Sequence, residues 1–234
     1  QLVRNGWIVV APDHTGLTLT DNMVPRPFDS AAVRAYDLQA TIDFMADLPS
    51  DHPLAGHVDT ARVLVAGHSL GGQSAWIMGA PAFDLDALEA SCAPSCVQAE
   101  LDAYAMLEPD HRVAAIVSLD GGLAVELVAD AGFAAMRVPA MLITPPDKPS
   151  DAELFARSAG VDVTWVQLAG ACHNSFTGIL GCGTLPLETS LPVTATYTLA
   201  FGIRHVLQSS DPALLAILSG ETEVDAVVTL THHE

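Results

Sequence analysis

Five short runs rich in β-branched residues stand at long intervals along the chain: WIVVA (7–11), RVLVA (62–66), VAAIVSL (113–119), PAMLIT (139–144) and VDVTWVQL (161–168). The first four are almost wholly apolar, as strands buried on both faces of a parallel sheet must be. VDVTWVQL alternates, which predicts a strand at the sheet edge. Helical patterns fill the gaps. In SAAVRAYDLQATIDFMADLP (30–49), Val33, Tyr36, Ala40, Phe44 and Leu48 mark one face, with Ser30 as N-cap and Pro49 past the end. A second helix is predicted over 194–208. Strands alternating with helices make an α/β fold, with a mostly parallel sheet, right-handed crossovers and helices on both faces. No Gly/Ser linker divides residues 1–234, so a single domain is expected. Residues 83–111 exceed what a connection needs. They form either a helical insertion over the carboxyl edge of the sheet, where α/β ligands bind, or a surface decoration.

Composition narrows the partners. The 234 residues carry a formal net charge of −19, and Lys148 is the only lysine. Such a surface repels phosphate backbones and anionic membranes, which argues against nucleic acid as a partner. Half the residues are apolar, yet no run approaches the roughly 18 apolar residues of a membrane span, so no stable membrane anchor is expected. The four cysteines fall into two local pairs, Cys92 with Cys96 and Cys172 with Cys182. These suit two short-loop disulfides and an extracellular or periplasmic setting. Neither pair has the spacing of a zinc knuckle. The opening QLVRNGWIVVAP reads as a helix end running into a strand, so the chain is expected to begin inside a fold.

The hexapeptide GHSLGG (67–72) follows RVLVA and leads into the helix-compatible QSAWIMGA. G-x-S-x-G is short enough to arise by chance in a chain of this size roughly one time in ten. Its setting between a strand and a helix gives it meaning. A serine hydroxyl is a poor nucleophile until a base takes its proton and a pocket accepts the developing oxyanion. A sharp strand-to-helix turn lifts Ser69 above the sheet, and Gly67 and Gly71 on either side let the strained backbone close. Gly72 leaves room for helix packing. The backbone N–H of Leu70 is placed to serve an oxyanion.

The base is expected in a loop after the last of these strands, where LAGACHNSFTG carries His173. His68 is read as a structural residue of the turn, because adjacent side chains diverge. His52 and His57 lie in a polar loop, and His111 falls at the wrong end of the sheet. His205 is mid-helix, and His232 and His233 belong to a frayed tail. His14 follows the first strand and is a candidate for the pocket wall. Two carboxylates fit the chain order Ser, Asp/Glu, His: Asp120 in SLDGG and Asp147 in LITPPDKPSD. Asp120 ends its strand directly. Asp147 follows the strand beside the histidine loop. Either could instead be a turn or helix-cap aspartate.

GWIVVAPDHTG, VLVAGHSLGG, DHRVAAIVSLDGG and LAGACHNSFTG, in this order over most of residues 1–180, resemble the α/β-hydrolase superfamily. The likeness is to its platelet-activating-factor acetylhydrolase-like and dienelactone-hydrolase-like esterase branch. GHSLGG carries the superfamily resemblance; the other segments narrow the branch. In acetylhydrolase-like members the acid lies at the end of the strand after the nucleophile helix, which implies Asp120. In dienelactone-hydrolase-like and cutinase-like members it lies one strand later, which implies Asp147. SLDGG and CHNSF look more like the first group, so the resemblance favours Asp120. Dienelactone hydrolases proper use a cysteine nucleophile, and Ser69 departs from that. The family sheet has eight strands, so the resemblance implies three more upstream of Gln1, with a loop supplying the second oxyanion amide. A chain lacking that amide is expected to lose about 10²–10³ in turnover.

The implied activity is hydrolysis of small carboxylic esters by Ser69, His173 and Asp120, with no metal or cofactor required. Two other readings stand beside it: acyl transfer to an acceptor other than water, and a non-catalytic hydrolase-fold binding protein. Added alcohol or amine acceptors separate the first, and covalent labelling of Ser69 separates the second.

Overall fold

Apolar, β-branched segments become strands where a neighbouring strand can take their backbone hydrogen bonds, and four of the five runs do so. The computed structural model describes residues 1–18, 21, 28–79, 82–178 and 182–233. Strands β1 (Val63–His68), β2 (Val113–Leu119), β3 (Ala140–Thr144) and β4 (Val163–Leu168) lie side by side in parallel. A fifth, β5 (Val228–His233), pairs antiparallel with β4. The fold is therefore α/β with a five-stranded, mostly parallel sheet.

Side chains on successive strand residues bury to opposite faces. Leu142 and Ile116 pack with Trp76 of α2 (Leu70–Met78) and Ile42 of α1 (Ser30–Ala46). Met141, Ile143 and Val117 pack instead with Tyr197 and Phe201 of α7 (Leu187–His205) and Leu218 of α8 (Pro212–Leu218). Two apolar layers thus fill both sides of the sheet, which is why β2 and β3 lack polar alternation. Helices α5 (Asp130–Ala135) and α6 (Pro149–Arg157) make the remaining crossovers between β2, β3 and β4.

Several expectations change. Residues 7–11 are not a strand: they carry no ladder, and Ile8, Val9 and Val10 are 39%, 53% and 47% exposed. A cavity of about 390 Å3, lined by Trp7, Val9, Ile42, Val63 and Val65 among others, separates them from the outer edge of β1. Without a partner in reach, the segment has the composition of a strand and no hydrogen bonds to make it one. VDVTWVQL is not an edge strand, because β5 covers its far side. His232 and His233 are accordingly not a frayed tail but the end of β5. His232 contacts Asp162 at 3.1 Å, and His233 Nε2 donates to the Phe155 carbonyl at 3.1 Å. His205 is the last residue of α7, which starts earlier than predicted.

The buried face of α1 is also different. Ala32, Ala35 and Ile42 are buried, whereas Phe44 is 62% exposed and Ala40 is exposed. The helix begins at Ser30 with Asp29 as its N-cap. Small alanines let α1 lie close to α2, where Arg34 Nε donates to Ser74 Oγ at 3.1 Å. Residues 83–111 are helical, as α3 (Leu85–Cys92) and α4 (Gln98–Ala105). They dock on the start of α1 through Leu88, Tyr104 and Ala32, and Tyr36 Oη donates to the Ala103 carbonyl at 2.9 Å. Cys92–Cys96 and Cys172–Cys182 are both disulfides, compatible with an oxidising compartment. Among the described residues no helix is long and apolar enough to cross a membrane.

Candidate active site

Parallel register places the site. His68 of β1 sits opposite Leu119 of β2, so residues 69 and 120 leave neighbouring strands at the same edge. β1 ends at His68 and α2 begins at Leu70, leaving Ser69 alone to make the turn. It adopts φ 56° and ψ −119°, a left-handed conformation that costs of order 1–3 kcal/mol and persists only when its surroundings impose it. Here they do. The Ser69 N–H donates to the Leu119 carbonyl at 3.0 Å, and the Ser69 carbonyl accepts from the Gln73 N–H at 3.1 Å.

Backbone packs against backbone around this turn. A Cβ on Gly67 would stand 2.2 Å from the Gly71 carbonyl carbon, and one on Gly121 would stand 2.2 Å from the Ser69 carbonyl oxygen. At Gly72 a Cβ would meet Ser118 Oγ at 2.5 Å and the Gly121 Cα at 2.8 Å. At Gly71 it would meet nothing within 4 Å. The predicted need for small residues on both sides of the serine therefore holds at Gly67 and not at Gly71. Gly72 and, from the neighbouring strand end, Gly121 are the other glycines the turn requires. The sequence signal for Gly121 was present in SLDGG, but only the pairing of β1 with β2 brings it under Ser69.

His173 opens a 3-10 turn, His173–Phe176, shortly after β4, and the Cys172–Cys182 disulfide fastens the residue just before it. The neighbouring His68 holds the turn from the other side: its Nε2 donates to the His173 carbonyl at 2.7 Å. The two imidazoles lie with ring centroids 4.5 Å apart. Burial pushes the His68 imidazole below its ordinary value, with the nearby His173 ring pushing the same way and the backbone hydrogen bond opposing. His68 is thus placed as a structural residue of the turn.

Asp120 follows β2 directly, at φ 46° and 5% exposed. His173 Nδ1 donates to Asp120 Oδ2 at 2.6 Å, and the Ser69 hydroxyl donates to His173 Nε2 at 3.0 Å. The hydroxyl, the imidazole and the carboxylate therefore form one unbroken line. The imidazole is half exposed and the carboxylate almost wholly buried. The other oxygen of Asp120, Oδ1, accepts from the Lys148 ammonium. Asp147 is exposed, at φ 63°, and takes no part in the line. Lys148 was singled out in the sequence only as the lone lysine, not as a site residue.

Leu70, the other predicted site residue, is the first of α2, so its N–H has no carbonyl within its own helix to bond. It follows the serine at the mouth of the turn. His14 is not joined to the triad; its Nδ1 contacts Asp37 Oδ2 of α1 at 2.7 Å. His205 and His232 share Asp162 beside a cavity of about 200 Å3 between α7, α8 and β4. Among the described residues no group of three or more His, Cys, Asp or Glu side chains is placed to hold a metal ion. No family model matches the chain, and a search of curated proteins returns no match.

Proposed function

We propose that the chain is a serine hydrolase of the α/β-hydrolase superfamily, of the acetylhydrolase-like and dienelactone-hydrolase-like branch, that cleaves small carboxylic esters. The observation that carries this reading is the line from Ser69 Oγ through His173 to Asp120, with contacts of 3.0 and 2.6 Å. Ser69 Oγ attacks the ester carbonyl carbon while His173 Nε2 takes its proton. Negative charge collects on the carbonyl oxygen, which faces the free N–H of Leu70. Collapse of the tetrahedral species breaks the bond to the alcohol oxygen, which leaves with the proton from Nε2. Water, deprotonated by the same imidazole, then attacks the acyl-enzyme, releasing the acid and restoring Ser69. Asp120 keeps the Nδ1–H tautomer and stabilises the transient imidazolium.

The two disulfides support an extracellular or periplasmic location. A fluorophosphonate that forms a covalent adduct on the intact protein, lost in Ser69→Ala, is the expected result. A wild-type protein that stays unlabelled would overturn the reading.

A further inference from the structure

We propose that Lys148 is a positioning residue of the triad: its ammonium grips Asp120 on the side away from His173 and sets the pH range in which His173 acts as a base. The inference rests on the serine-hydrolase reading. Asp120 has two carboxylate oxygens and uses both, one for His173 Nδ1 and one for Lys148 Nζ. Its side chain is 2% exposed, so water does little to orient or screen it. Lys148 stands where the chain leaves β3 and enters α6, one strand further from β1 than Asp120 itself.

A second carboxylate lies beneath the same ammonium. Asp151 Oδ2 is 3.9 Å from Lys148 Nζ, its side chain is 2% exposed, and that oxygen has no hydrogen-bond partner. Burial pushes Asp151 above the usual carboxylate range; Lys148 opposes this and Asp120 adds to it. One lysine therefore serves two buried acids. The charged and titratable groups around Asp120 are His173 from the turn after β4, His68 from β1, and Lys148 and Asp151 from the start of α6. Asp147, the residue before Lys148, is exposed and makes no ion pair among the described residues.

The consequence follows from charge. A bare Asp120 would stabilise the His173 imidazolium with its full charge, so the imidazolium would give up its proton only at higher pH. With an ammonium on its far oxygen, Asp120 still orients the ring but pulls less strongly on the proton. A unit charge a few ångströms beyond the carboxylate, in a half-exposed site, is worth about one pH unit. Lys148 thereby keeps His173 available as a base at lower pH.

The test is the pH dependence of the second-order rate of fluorophosphonate labelling on the intact protein. Four forms are compared: wild type, Lys148→Met, Lys148→Arg, and Lys148→Met combined with Asp151→Asn. The double variant removes the repulsion between two buried acids that could unfold the single one. In Lys148→Met and the double variant, the acid limb of the profile moves to higher pH by about one unit, while Lys148→Arg keeps the wild-type limb. A lysine that served only for folding would lower labelling at every pH and leave the limb in place. That result, in whichever methionine variant folds, would overturn the proposal and leave the nucleophile standing. An unlabelled wild type would overturn both.

Discussion

The carboxyl ends of the strands and the outer edge of β1 belong to one sheet but are finished in opposite ways. At the strand ends, Gly67, Gly72 and Gly121 let backbones touch, and the Ser69 turn is bonded on both sides. His173 is pinned by a disulfide and by His68, and both oxygens of Asp120 are occupied. At the outer edge, β1 pairs on one side only among the described residues, and residues 8–10 form no ladder, with Ile8, Val9 and Val10 between 39% and 53% exposed. A strained backbone conformation such as that of Ser69 needs many independent restraints. A strand needs just one good neighbour, and without it an ideal β-branched composition forms no ladder.

The contrast breaks most visibly at Gly121. Its replacement by alanine would drive a Cβ into the Ser69 carbonyl oxygen, 2.2 Å away. Displacing the nucleophile by of order 1 Å lowers labelling of Ser69 by about 100-fold. Gly71→Ala, which meets open space, keeps the wild-type rate to within about twofold. Similar losses in the two variants would mean that the packing around the serine has been misassigned.

Stability separates the two regions further. Ile116, at the centre of β2, is 0% exposed and Val9 is 53% exposed. Ile116→Ala leaves a cavity and destabilises by about 2–5 kcal/mol, whereas Val9→Ala changes stability by less than about 0.5 kcal/mol. Denaturant unfolding of the two variants measures the difference. A large loss at Val9 would show that residues 7–11 are packed more firmly than their exposure indicates.

The same division marks what could be read in the sequence. Strands β2 to β4 were legible because most of their residues are buried on both faces, and β1 because its run is apolar although only Val65 in it is buried. Residues 7–11 carry the same signal and fail, because hydrogen bonding to a neighbour is not a local property. β5 was missed for the opposite reason: VTLTHH is half exposed, its histidines resemble a polar tail, and its strand character comes from lying against β4. The face of α1 was misjudged because Ala32 and Ala35 make the close contacts while the larger Phe44 points to solvent.

At the site, the strand–GHSLGG–helix setting identified Ser69 and LAGACHNSFTG identified His173. The residue pattern left Asp120 and Asp147 open, and the resemblance favoured Asp120. The structure brings Asp120 to His173 because a residue directly after β2 lies beside Ser69. Asp147 is three residues beyond β3, far enough along its loop to turn outward. Lys148 was not legible at all: its partners are one strand away, and no short motif records an ion pair across strand ends.

The most direct measurement of the central claim compares the two aspartates. Fluorophosphonate labelling rates are determined for Asp120→Asn and Asp147→Asn in the intact protein, with folding checked by circular dichroism. An asparagine at the orienting position leaves the imidazole in the wrong tautomer, which in such triads costs about 10⁴ in rate. The triad as assigned requires a loss of that order in Asp120→Asn and a wild-type rate in Asp147→Asn. A folded Asp120→Asn protein that labels at the wild-type rate, or a collapse in Asp147→Asn instead, would contradict it.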